Sequence, residues 1–218
     1  LDSPYFMQFI SGFTDHMHGY FLTSAYNSDN LWAATRAYVP PFTSWPQRLA
    51  FFLDSLKGLI VLHRENLVHG DIKPQNVMIN CDKRCVGIRM SPGETECNIS
   101  QRACVAVIIG VGFAVEAGKI KKFHGTPGFV PPELITQEAQ GKWLVWCKSV
   151  DMWAMGAMLY QLRTDRLLIP VDGNWRKNTE AYRPEIQSTS KTQPDLKQLL
   201  VASMRGEARR DGMNNFGW

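Results

Sequence analysis

The chain has 218 residues, 44% of them hydrophobic, 11% aromatic and 20% charged, a globular mixture long enough to bury a sizeable core. That composition excludes disorder over the whole length, and no run approaches the roughly 20 apolar residues that span a bilayer. The 24 basic residues against 20 acidic ones leave a net charge of +4 with no dense Lys/Arg block, so nucleic acid is not an expected partner.

Residues 19–26 (Gly-Tyr-Phe-Leu-Thr-Ser-Ala-Tyr) read as a strand. The polar run 27–30 breaks it, and residues 31–36 read as a short helix after an Asx-type turn. Ser44 and Gln47 then form an S-x-x-Q capping pattern, with Pro46 in the first turn where its missing N–H costs little. Leu49, Phe52, Leu53, Leu56, Leu59 and Ile60 recur at the spacing of one helical face, and this helix ends near residues 63–66. Leu67-Val68 and Val77-Met78-Ile79 are strand-like pieces on either side of a polar loop. Residues 105–109 carry a buried-strand signal. Residues 150–160 are apolar nearly all round, the mark of a helix buried on every side, and Trp143, Trp146 and Trp153 are expected in the core. Thr192 and Asp195 cap a last helix with Leu196, Leu199, Leu200 and Met204 on one face.

Four of the five cysteines, Cys81, Cys85, Cys97 and Cys104, fall in one polar excursion; the fifth is Cys147. Disulfides that tie down this excursion are the expected reading, and they require an oxidising compartment. Unpaired thiols, with Cys104 in the core, are one alternative. A zinc site is the other; Cys81 and Cys85 have the right spacing for it, but Cys97 and Cys104 do not. The sequence opens at Leu1 without a signal-peptide pattern, so compartment rests on the cysteines or on resemblance.

The loop His69-Gly70-Asp71-Ile72-Lys73-Pro74-Gln75-Asn76 packs a carboxylate, an ammonium and an amide between two apolar segments. Asp71 can take a proton from a hydroxyl, Lys73 can neutralise a transferred phosphoryl group, and Asn76 can offer an oxygen to a divalent metal. The plainer alternative is a polar turn in which all three only organise the loop, His69 bonds a backbone carbonyl, and Asp151 caps the buried helix and bonds the loop backbone.

This stretch resembles the catalytic loop of protein kinases, the H-R-D-x-K-x-x-N pattern, with Lys73 in the Ser/Thr-kinase position. Gly125-Thr126-Pro127-Gly128-Phe129-Val130-Pro131-Pro132-Glu133 is similar to the G-T-x-x-Y-x-A-P-E end of an activation segment. Asp151-Met152-Trp153-Ala154-Met155-Gly156 resembles the D-x-W-x-x-G opening of the large central helix. Arg209 matches the arginine that in the family pairs with the glutamate of A-P-E, here Glu133. Four motifs in this order form a specific signal. H-G-D and T-P-G-F-x-P-P-E further resemble the secreted rhoptry-type kinases of apicomplexan parasites, in the branch without a glycine-rich loop that includes a bradyzoite pseudokinase.

The resemblance implies an α+β, protein-kinase-like fold over residues 1–218. Residues 1–26 would be a remnant of the β-rich N-lobe and the hinge, and 27–218 the mainly α-helical C-lobe with a cysteine-rich insertion at about 80–104. Ser24 and Tyr26 would align with the hinge that receives adenine. The metal-binding D-F-G falls at Gly110-Val111-Gly112, so Gly110 replaces the metal Asp and no metal ligand set is expected. Glu116 is the nearest acid downstream, and restoring Gly110→Asp is expected to gain metal affinity if the pocket is otherwise intact, no gain pointing to an occluded one. Gly70 replaces the arginine that grips a phosphorylated loop, and His124 is expected on the surface of that segment. No lysine precedes Lys57 and no G-x-G-x-x-G occurs in these residues.

The expected function is therefore that of a secreted pseudokinase. It would bind or scaffold a protein partner, transfer little or no phosphate, use no resident cofactor, and act in a parasite secretory organelle, the parasitophorous vacuole or the cyst wall. The alternative is an unconventional Ser/Thr protein kinase that uses ATP and Mg²⁺, with Asp71 as base, Lys73 as phosphate contact and Asn76 as metal ligand.

Overall fold

A computed structural model describes residues 3–26, 28–36, 44–81 and 104–181. Cys85, Cys97, Arg209 and the helix expected after Thr192 lie outside the described residues. The chain divides into two compact units, one formed by Leu1–Glu65 and Pro74–Gly110, the other by Asn66–Lys73 and Val111–Trp218.

The first unit opens with an antiparallel hairpin of β1 (Phe9–Thr14) and β2 (Gly19–Thr23). Asp15 shapes its turn, since one carboxylate oxygen accepts the N–H groups of Met17 and His18 at 2.8 and 2.6 Å. Phe13 and Tyr20 face each other in the register and stack at 4.9 Å. The strand expected to reach residue 26 stops at Thr23, once Ser24 N–H has donated to the Gln8 carbonyl.

Helix α1 (Leu31–Arg36) starts where Asn30 Oδ1 accepts the Ala33 N–H at 3.0 Å. Helix α2 (Trp45–Arg64) has Ser44 at its N-cap with extended backbone, but the hydroxyl makes no capping bond, contrary to the S-x-x-Q expectation. Its entry is held by other groups: Pro46 occupies the first turn, and the buried Arg48 donates through Nη2 to the Thr35 carbonyl at 3.3 Å. The buried stripe also departs from the apolar periodicity. Arg48, Phe51, Phe52, Ser55, Gly58, Leu59 and Leu62 face inward, whereas Leu53 and Ile60 are exposed. Gly58 belongs to this stripe because a Cβ there would collide with the Tyr5 carbonyl oxygen, so only glycine allows this backbone approach.

A turn of 3₁₀ helix at Pro74–Asn76 leads into β4 (Val77–Cys81), which pairs antiparallel with β5 (Cys104–Ile108) from Val77↔Ile108 to Cys81↔Cys104. Val77, Ile79 and Cys81 alternate inward as a half-buried strand requires. Asp54 on α2 accepts the Ala106 N–H and so ties the helix to β5.

Cys81 and Cys104 are joined by a disulfide across a sequence separation of 23. These two sulfurs are therefore not zinc ligands, and the exposed Cys147 is a free thiol. Closing a loop of this length limits the unfolded chain by about 3 kcal/mol. Replacing both cysteines with serine is expected to lower unfolding free energy by about that amount in urea titration. Peptide mapping without reductant is expected to recover the 81–104 cross-link; recovery of both residues as alkylated thiols from native protein would refute the pairing.

The second unit holds two short antiparallel ribbons, β3 (Leu67–Val68) with β6 (Val115–Glu116), and β7 (Ile120–Lys121) with β8 (Leu144–Val145). Helices α3 (Pro132–Ala139), α4 (Lys148–Thr164) and α5 (Trp175–Ala181) complete it. Val68, Val115, Val130, Leu134, Ile135, Leu144, Trp146 and Val150 form its core. Helix α4 is buried nearly all round, with Trp153, Met155, Met158 and Leu159 among its covered side chains, and it ends at Asp165 in the left-handed conformation. Trp143 corrects the expectation of a core tryptophan: it precedes β8 and is 75% exposed, while Leu144 and Trp146 turn inward. Among the described residues no helix is long and apolar enough to cross a membrane.

Candidate active site

The candidate residues fall into two groups, one in each unit. In the second unit, β3 runs directly into His69-Gly70-Asp71, and α4 holds this backbone in place. Asp151 is fully buried, and its two oxygens accept the N–H groups of His69 at 2.7 Å and Gly70 at 2.9 Å. His69, also fully buried, accepts the Asp71 N–H through Nδ1 at 3.2 Å. Gly70 has φ +79°, a left-handed turn that suits glycine.

Asp71 is itself buried, and three groups close a ring there. Lys73 Nζ lies 2.8 Å from Asp71 Oδ2. Thr126 Oγ1 donates to Asp71 Oδ1 at 2.6 Å and accepts from Lys73 Nζ at 2.6 Å. Each carboxylate oxygen can accept more than one hydrogen bond, so these two contacts do not by themselves saturate Asp71. The ammonium stands beside the same spot, where it can offset negative charge.

Thr126 was absent from the residues the loop motif nominates. Its signal lies instead in the G-T of the activation-segment motif, after Gly125, which has φ +117° and sits against Val130. His124, expected on the surface, is half-buried between the rings of Phe113 and Trp146. Burial holds its imidazole pKa below the ordinary value. Glu133 lies in the first turn of α3, and its expected partner Arg209 is outside the described residues. Trp153 packs in the buried face of α4.

In the first unit, Asn76 ends the 3₁₀ turn before β4, and Gly110 follows β5 with φ +81°. The Asn76 carbonyl accepts the Ile109 N–H at 2.9 Å. A Cβ on Gly110 would stand 2.9 Å from Asn76 Oδ1, so the amide occupies the space where a side chain at 110 would begin. Ser24 and Tyr26 follow β2. Ser24 donates its N–H to the Gln8 carbonyl at 3.0 Å and its hydroxyl to Gln8 Oε1 at 3.1 Å, and partial burial raises the Tyr26 phenol pKa.

The model of the protein kinase domain family matches residues 1–209. The chain belongs to the protein kinase family. It is 28% identical over 165 residues to human 3-phosphoinositide-dependent protein kinase 1, an alignment covering 74% of this chain and 25% of that protein. It is 32% identical over 117 residues to the DNA damage response protein kinase DUN1 of Saccharomyces cerevisiae, covering 51% of this chain and 21% of that one. Against the mouse liver/testis phosphorylase b kinase gamma catalytic chain it is 30% identical over 108 residues, covering 49% and 22%. The chain thus spans about a quarter of the length of the curated relatives it matches.

Within this kinase domain the residues at positions 76 and 110 do not fit a divalent metal held through carboxylates. Gly110 has no side chain, and the Asn76 amide is packed against it. Glu116, the nearest acid downstream, is exposed on β6 and pairs with Lys119 at 3.3 Å. Among the described residues no group of three or more His, Cys, Asp or Glu side chains could hold a metal ion. The expectation that Gly110→Asp regains metal affinity is therefore revised. The substitution forces a side chain into left-handed backbone, at about 1–2 kcal/mol, and displaces Asn76. The expected result is a lower Tm with no gain of Mg²⁺ affinity in calorimetric titration; a clear gain would show that Asn76 yields freely.

Proposed function

We propose that this kinase domain transfers phosphate from ATP to a serine or threonine hydroxyl of a protein, with Asp71 as the general base. The observation that supports this reading is the closed array of Asp71, Lys73 and Thr126, with contacts of 2.6–2.8 Å. The hydroxyl proton passes to the Asp71 carboxylate as its oxygen bonds to the γ-phosphorus and the bond to the ADP oxygen breaks. Lys73 offsets charge on the transferred group, and Thr126 keeps Lys73 and Asp71 in register. Relatives named as protein kinases support the same reading. It is tested by phosphate incorporation from labelled ATP into Ser/Thr peptides by the full chain. Incorporation that vanishes in Asp71→Asn is expected; none above the level of that variant would overturn it.

Gly110 favours a second reading, in which the domain is a pseudokinase that binds or scaffolds a protein partner with little transfer. The same assay separates the two. The finer resemblance to secreted rhoptry-type kinases rests on the wording H-G-D and T-P-G-F-x-P-P-E. A secreted location rests on that resemblance and on the Cys81–Cys104 bond, which needs an oxidising compartment. Adenine contact by Ser24 and Tyr26 and an ion pair of Glu133 with Arg209 belong to the kinase proposal; metal contact by Asn76 does not, because its amide is packed against Gly110.

A further inference from the structure

Gly70 has a neighbour that neither the loop motif nor the proposed chemistry uses. A Cβ at Gly70 would stand 3.0 Å from His124 Nε2 and 3.2 Å from the Phe113 carbonyl oxygen, so the imidazole occupies ground that glycine leaves vacant. The ring is clamped on both faces. Trp146 stacks on it at 3.7 Å and 6°, and Phe113 at 4.9 Å and 15°. Nδ1 lies 3.1 Å from the Lys122 carbonyl, so it carries the proton and donates. Nε2 is buried and meets no hydrogen-bond geometry among the described residues, although the Phe113 carbonyl favours the protonated ring. Two residues further on, Thr126 bonds both Asp71 and Lys73. Only Gly125, in left-handed backbone, separates the stacked ring from that contact.

We propose that His124 is a positioning residue for the Asp71–Lys73–Thr126 array: its neutral imidazole, wedged between Phe113 and Trp146 beside Gly70, fixes the turn that presents Thr126, and protonation loosens it. The inference rests on the proposed phosphotransfer only for its effect on rate; the wedge itself does not depend on it. Each stack contributes beyond the area it buries, and together they hold this segment.

The charges around the ring set the direction of its response to acid. From the catalytic loop, Asp71 favours the protonated form, and Lys73 sits beyond it on the same carboxylate. From α4, the Asp151 carboxylate lines the same cleft but is committed to the His69 and Gly70 N–H groups. From its own segment, Lys121 opposes protonation, while the Lys122 and Phe113 carbonyls favour it. Trp146 brings no charge. Burial outweighs the favourable groups and holds the imidazole pKa below its ordinary value. A depressed histidine pKa means that the unfolded chain binds its proton first. Stability from the neutral wedge is thus full above about pH 6.5 and falls as pH drops below it.

Hydrogen exchange of the turn amides tests this without reference to activity. The Phe129 N–H, which donates to the Thr126 carbonyl at 3.0 Å, is the reporter. In the full chain at about pH 7.5, His124→Ala is expected to lose on the order of ten- to hundredfold protection at this turn, and His124→Phe to recover most of it. Between about pH 7.5 and pH 5.5, after correction for intrinsic exchange, wild type is expected to lose protection while His124→Phe stays flat. Equal protection in wild type and His124→Ala, or the same acid response in wild type and His124→Phe, would overturn the proposal. If wild type transfers phosphate, its rate should follow protection across the three proteins. If it transfers none, the exchange result still decides the wedge, and only the phosphotransfer reading falls.

Discussion

Asp71→Asn is expected to lower phosphate incorporation by roughly 10²–10⁴-fold, the range that a positioned general base supplies. That corresponds to about 3–5 kcal/mol of barrier. The substitution is chosen because it spares the geometry. The amide oxygen can still accept the Thr126 hydroxyl that now bonds Oδ1. It loses the charge that faces Lys73 at 2.8 Å and the capacity to take a proton at neutral pH. Lys73 keeps about a fifth of its side chain in solvent, so water can compensate part of the lost pairing. The rate loss should therefore far exceed the loss of fold. Single-turnover incorporation at equal folded fraction is the measurement, and a rate within about threefold of wild type would remove Asp71 from the role of base.

The largest effect on stability is expected from Asp151→Ala. Its carboxylate is fully buried on α4 and accepts two backbone N–H groups of the loop, at 2.7 and 2.9 Å. Alanine leaves both donors buried and unsatisfied, each at about 1–3 kcal/mol, for a total near 3–5 kcal/mol. Asp151→Asn should recover only part of this, because its amide presents one acceptor and one donor to two donors. Urea unfolding gives the magnitude, and exchange of the His69 and Gly70 amides gives the location. A loss below about 1 kcal/mol would mean that the loop finds other acceptors.

Several features were legible because they depend on neighbours along the chain. The buried helix around residues 150–160, the strand-like runs that fall in β4 and β5, and the placing of Asp71 and Lys73 in one loop all follow from local pattern. The α2 stripe shows where such patterns stop. Its inward face includes Arg48, Ser55 and Gly58, and Leu53 and Ile60 face out, because the Tyr5 backbone approaches at Gly58 and the Thr35 carbonyl recruits Arg48. Hydrophobic periodicity carries no record of such long-range partners.

By itself the sequence determined the family, through ordered motifs between His69 and Gly156. Tertiary structure alone decided what those residues touch. Thr126 meets Asp71 across 55 positions, the Asp151 carboxylate meets His69 across 82, and His124 enters the space beside Gly70. It also turned Gly110 from a missing ligand into a glycine pressed against Asn76. The physical reason is that hydrogen bonds and stacking act through space over a few ångströms, while sequence spacing constrains only residues within a turn or a strand of one another.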